Sequence, residues 1–258
     1  MEGDPVMLIY RPFNGTFFLC FAVFMAFLFI SARILRQKPM ETRRRFLAEI
    51  MVFTFIMFFV YKYCLSIDEE YSKICAENGI GEFSWWKELP LQLCNINLLL
   101  IPVAMATMNR SILNFNFFTG TLGALMAILM PSIGFSDCSI LLPRMLGYYF
   151  THFMVFTGSL AIMAYGIHTP KFRELPETAV LLLCVAFIVF LLSGLCRRTG
   201  LNGYVNYFYT WGPEGNAILE LFYSVIPVPY LYEVPLILIL AAYMWFVTFI
   251  INKAGGKK

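Results

Sequence analysis

Histidine is scarce in this chain: two residues, His152 and His168, stand among 258. Charge is scarce as well, at 14% Asp, Glu, Lys and Arg, where soluble domains carry about a quarter. That shortage excludes an ordinary soluble globule, and a net charge of +3 is too small to point to a nucleic-acid partner. The seven cysteines, at 20, 64, 75, 94, 138, 184 and 196, form no CxxC pair and no zinc or haem spacing, so no metal or other cofactor is expected. No lysine lies between Val234 and Ile251, which excludes a retinal Schiff base in the last helix. The first apolar run follows Glu2 and Asp4 instead of a basic segment, so it is expected to remain as an uncleaved helix.

What is abundant is apolar bulk: 60% of residues are hydrophobic, with 27 Phe, 14 Tyr and 14 Met. Seven stretches approach the roughly 20 apolar residues that a membrane-spanning helix needs. They predict an all-α fold, a polytopic bundle of seven transmembrane helices in one domain, residues 1–258, making several passes of the cell membrane. The helices are expected at about 16–34, 46–64, 88–108, 115–133, 143–165 and 177–196, with a last one that follows Pro227-Val228-Pro229 and ends near Asn252. Pro90 is expected in the first turn of the third helix, where its missing N–H costs nothing, and Pro102 at a kink deeper in. The polar stretch 197–228 reads as an outer loop or a short interfacial or re-entrant element.

Arg33, Arg36, Lys38, Arg43, Arg44 and Arg45 crowd the first loop, whereas Asp68, Glu69, Glu70, Glu77, Glu82 and Glu88 follow the second helix. With the tail Lys253, Lys257 and Lys258, the balance of cations predicts the N-terminus outside and the C-terminus inside. Cys75 and Cys138 then share the outer side, where a disulfide between them is an open expectation.

Candidate chemistry centres on Leu89-Pro90-Leu91-Gln92-Leu93-Cys94-Asn95, which carries a thiol and two amides into the third helix. At a rise of about 1.5 Å per residue, Cys94 lies about 8 Å from Leu89 and His152 about 14 Å from Pro143, both in the outer half of the bilayer. A thiol needs a neighbouring base to act as a nucleophile at neutral pH, and histidine is the usual one. An ionisable group inside a span is a functional candidate by default. Structural alternatives stand beside this: a buried Cys as a small hydrophobe, a His bonded to a carbonyl. Asn97, at i+3 from Cys94, and Tyr148, at i−4 from His152, are candidates to orient a ring or hold an oxyanion. Glu233 is either a third member orienting His152 or a solvated interfacial carboxylate. Arg144 is either close to a lipid phosphate or a plain interfacial anchor.

The order of Leu89-Pro90-Leu91-Gln92-Leu93-Cys94, His152, Asn206-Tyr207 and Pro227-Val228-Pro229-Tyr230 resembles the YwaF family of bacterial integral membrane proteins over nearly the whole chain. That family is similar to an animal acyltransferase of the transmembrane protein 164 type, which remodels ether phospholipids, and more distantly to the androgen-induced membrane hydrolases. The resemblance implies a lipid acyltransferase or acyl hydrolase in which Cys94 and His152 are catalytic, with Gln92, Asn97, Tyr148, Asn206 and Glu233 in support. It implies membrane lipids as acyl donor and acceptor, and leaves the oligomeric state open. The competing expectation is a non-enzymatic seven-helix transporter or receptor-like protein.

Overall fold

The computed structural model describes residues 8–79, 82–214 and 217–255. Glu2, Asp4, Gly215, Lys257 and Lys258, on which parts of the sequence reading rest, lie outside the described residues. The fold is all-α. Its helices are α1 (Gly15–Leu35), α2 (Met40–Ser66), α3 (Glu69–Glu77), α4 (Leu93–Thr107), α5 (Arg110–Phe115), α6 (Thr121–Leu129), α7 (Pro143–Ala164), α8 (Leu175–Arg198), α9 (Ala217–Val225) and α10 (Val234–Gly255). A π-helical turn, Asn116–Gly120, joins α5 to α6 into one continuous rod. Strands β1 (Ile9–Tyr10) and β2 (Cys138–Ser139) pair antiparallel across one end of the bundle.

Five segments are long and apolar enough to cross a membrane: Gly15–Leu35, Met40–Ser66, Arg110–Leu129, Phe172–Arg198 and Leu231–Ala254. The remaining two expected spans, α4 and α7, differ for physical reasons. With 15 residues, α4 reaches only about 22 Å, short of a hydrocarbon core of about 30 Å. The 22 residues of α7 are long enough but carry Arg144, His152, tyrosines, threonines and a serine. That polarity is tolerable because α7 is the central post, packed by α1, α2, α4 and α6 and buried along most of its length. A helix shielded by other helices does not have to be greasy on every face.

Close approach is built in with glycine. A Cβ on Gly147 of α7 would lie 2.5–2.6 Å from the Tyr61 side chain of α2, and one on Gly120 would collide with Ser159 Oγ. Gly123 brings α6 against the first turn of α4, where its Cβ would rest 3.6 Å from the Cys94 nitrogen. Side chains cap the helices that start at the ends of the bundle: Asn14 accepts from Phe17 N–H, Asp68 from Tyr71 N–H, and Asn109 from Ser111 and Ile112 N–H.

Three outer-side expectations are corrected. Cys75 is buried in α3 and Cys138 lies in β2, and both are free thiols, so no disulfide joins them. Arg144 does not face lipid: its side chain is 1% exposed and bonds Asp68 at 2.9 Å and Glu70 at 3.0 Å, tying the start of α7 to α3. Helix α4 begins at Leu93 instead of Glu88, because the chain from 84 to 92 runs in turns and extended backbone, with Pro90 buried ahead of the helix.

Candidate functional site

The late start of α4 determines the geometry of the site. Cys94 is only the second residue of its helix, whereas His152 lies nine residues, about 14 Å, along α7. The two nevertheless meet: Cys94 Sγ is 3.5 Å from His152 Nε2. The lead-in before α4 must therefore descend into the bundle before the helix begins. Irregular backbone at such depth is tolerated where protein surrounds it.

Two consequences follow for the chemistry. The first intrahelical bond of α4 runs from Ile96 N–H to Gln92 O, at 2.9 Å, so the N–H groups of Leu93, Cys94 and Asn95 precede the ladder. They form a positive helix end inside the bundle, at the residue that carries the thiol. The second consequence concerns the histidine. His152 Nδ1 lies 2.7 Å from the Tyr148 carbonyl, one helical turn back, and a carbonyl only accepts. The Nδ1 proton is thereby fixed, and Nε2 is left with its lone pair towards the thiol.

The supporting residues divide. Gln92 is the N-cap residue of α4, but its side chain turns away and accepts from Phe208 N–H at 2.9 Å. Asn206 folds the same turn, accepting from Trp211 N–H and donating to Gly212 O, both at 2.8 Å. Phe208 and Tyr209 take left-handed backbone there, with φ of 57° and 64°. Tyr209 is drawn near Cys94. Tyr230, from the Pro-x-Pro-Tyr corner, donates its N–H to Thr210 O at 2.7 Å, so the two late motifs form one cover beside the site.

Asn97 and Tyr148 are engaged elsewhere. Asn97 is fully buried and bonds Leu93 O and Thr119, gluing α4 to the π-helical turn. The Tyr148 hydroxyl donates to Ala127 O at 3.1 Å, while its ring rests against His152. The ring nitrogens of His152 contact Cys94 and the Tyr148 carbonyl, and the structure does not bring Glu233 into hydrogen-bond contact with them. Glu233 sits half-buried on the turn that precedes α10.

One neighbour was missed in the sequence. Lys62 of α2 is 8% exposed, bonds Glu88 at 2.6 Å, and lies over the rings of Phe58 and Tyr61. The signal was available, for Lys62 falls inside the predicted span 46–64, where a cation is costly.

No curated protein matches the chain, and no solved structure does. The model of the TMEM164 family matches residues 11–251, almost the full length, and the chain belongs to that family of membrane proteins.

Proposed function

We propose that this multi-pass membrane protein is an acyltransferase or acyl hydrolase acting on lipid esters within the membrane, with Cys94 as nucleophile and His152 as acid and base. The observation that carries the reading is the 3.5 Å contact of Cys94 Sγ with a His152 Nε2 whose opposite nitrogen is held by the Tyr148 carbonyl. The thiol proton passes to Nε2 as sulfur attacks the ester carbonyl. The N–H groups at the start of α4 face the developing oxyanion. Collapse breaks the ester C–O bond, the alkoxide takes the proton from Nε2, and a thioester remains on Cys94. A lysolipid hydroxyl or water then attacks the thioester, giving its proton to Nε2, and the expelled sulfur takes that proton back.

In this reading membrane lipids are acyl donor and acceptor, and the protein resides in the cell membrane as a single domain. It crosses seven times, N-terminus outside, with α4 extended to membrane length by its lead-in and α7 shielded by its neighbours. Kinship with the YwaF proteins and the androgen-induced hydrolases belongs to the same reading.

The test is labelling of purified protein in lipid with an acyl-based activity probe, comparing wild type, Cys94→Ala and His152→Ala. Wild type is expected to form an adduct mapping to Cys94, and His152→Ala to label about 100-fold more slowly or worse. Equal labelling of all seven cysteines, or full lipid-ester turnover by Cys94→Ala, defeats the proposal and leaves transport or reception as the function.

A further inference from the structure

A buried lysine inside a membrane bundle is costly, and so is a buried ion pair. Lys62 and Glu88 form one, with side chains 10% and 15% exposed. Its position narrows its role. Lys62 stands four residues before the end of α2, the helix that packs against both α4 and α7, the carriers of Cys94 and His152. Its ammonium is seated over the Tyr61 and Phe58 rings at 4.7 and 5.3 Å, so it is held by aromatic faces as well as by Glu88. Its charge reaches both Cys94 and His152, whereas Glu88 acts on Tyr61, Tyr71 and Tyr207. The cation is thus carried on the helix that packs against both α4 and α7, and Glu88 stands in the lead-in six residues ahead of Cys94. The other titratable groups around Cys94 are Tyr61 on α2, Tyr148 and His152 on α7, and Tyr209 on the covering turn.

We propose that Lys62 is a positioning residue for the charge of the site: its buried ammonium stabilises the Cys94 thiolate and Glu88 holds it in place. The proposal rests on the reading of Cys94 as the reactive group.

The experiment is alkylation of the full-length protein in lipid with iodoacetamide, a neutral reagent, at fixed pH. The Cys94 adduct is quantified by peptide mass spectrometry against the exposed Cys184 as internal reference. Lys62→Gln is expected to slow Cys94 alkylation about tenfold, the ratio that one pH unit in thiolate fraction produces. Lys62→Arg should stay within about twofold of wild type, and Glu88→Gln should be no slower than wild type, since it removes only a negative charge. Where a single variant fails to fold, Lys62→Gln/Glu88→Gln keeps a neutral hydrogen-bonding pair and should be as slow as Lys62→Gln. A purely structural latch gives the opposite pattern, and wild-type alkylation by the double variant, or equal slowing by Glu88→Gln and Lys62→Gln, overturns the proposal. Because alkylation needs no lipid turnover, a Cys94 that follows this charge pattern yet transfers no acyl group would sustain the inference and defeat the acyl-transfer reading.

Discussion

Removing Arg144 tests how the start of α7 is held against α3. The guanidinium sits in the first turn of α7, eight residues before His152, and its side chain is 1% exposed. Its Nη1 contacts Asp68 at 2.9 and 3.1 Å and Glu70 at 3.0 Å, and Nη2 lies 3.5 Å from Cys138 Sγ. The two carboxylates are unequal: the Asp68 side chain is 19% exposed and that of Glu70 is 62% exposed. The Glu70 contact is therefore screened by water and worth about 0–1 kcal/mol, whereas breaking the Asp68 pair costs about 3–5 kcal/mol. Asp68 also caps α3 through Tyr71 N–H at 2.9 Å, which adds about 1 kcal/mol to the loss in Asp68→Ala but not in Asp68→Asn. In a thermal scan of detergent-solubilised protein at fixed scan rate, Arg144→Met should lower Tm by roughly 10 °C and Glu70→Gln by about 2 °C or less. The triple variant Arg144→Met, Asp68→Asn, Glu70→Gln should recover most of the loss, because it leaves no charge buried alone. An Arg144→Met protein as stable as wild type, or a Glu70→Gln variant equally damaged, would refute this account.

Two further outcomes are expected. Gly147→Ala forces a methyl into the Tyr61 ring and should cost about 1–3 kcal/mol, read as a lower Tm; since Tyr61 adjoins the site, Cys94 labelling should fall as well, and unchanged values of both would sink the packing argument. His168 lies between α7 and α8, within 2.9 Å of Asn114 Oδ1 and 3.3 Å of Glu174 Oε2, with Arg110 and Lys171 near. Burial holds its pKa below the ordinary 6.5, against the pull of Glu174. The unfolded chain therefore binds more protons just below that pH, so this contribution is complete above about pH 6.5 and is lost as pH falls. Tm measured from pH 7.5 to 5 should drop more steeply for wild type than for His168→Gln, and parallel curves would contradict the assignment.

The pairing of Cys94 with His152 was legible in the sequence, but for an incomplete reason. Apolar runs located every long helix, since lipid-facing composition is a local property. Where α4 begins is not: Pro90 fits the first turn of a helix by its own preferences, and only tertiary packing draws residues 84–92 out of helical form. Counting depth from Leu89 set Cys94 and His152 at unequal levels, yet they touch, because α4 starts inside the bundle. Lys62 escaped notice for a related reason. One cation near a helix end looks like a snorkelling side chain, and the Glu88 that keeps it inward belongs to the same irregular lead-in. The sequence shows Cys94 and His152, while the displaced helix start brings them together and leaves the N–H groups of Leu93, Cys94 and Asn95 ahead of the helical ladder. Within lipid those groups need an acceptor. The Gln92 side chain, which could have capped them, accepts from Phe208 N–H instead, so no side chain caps the start of α4, the end that faces the oxyanion in the proposed reaction.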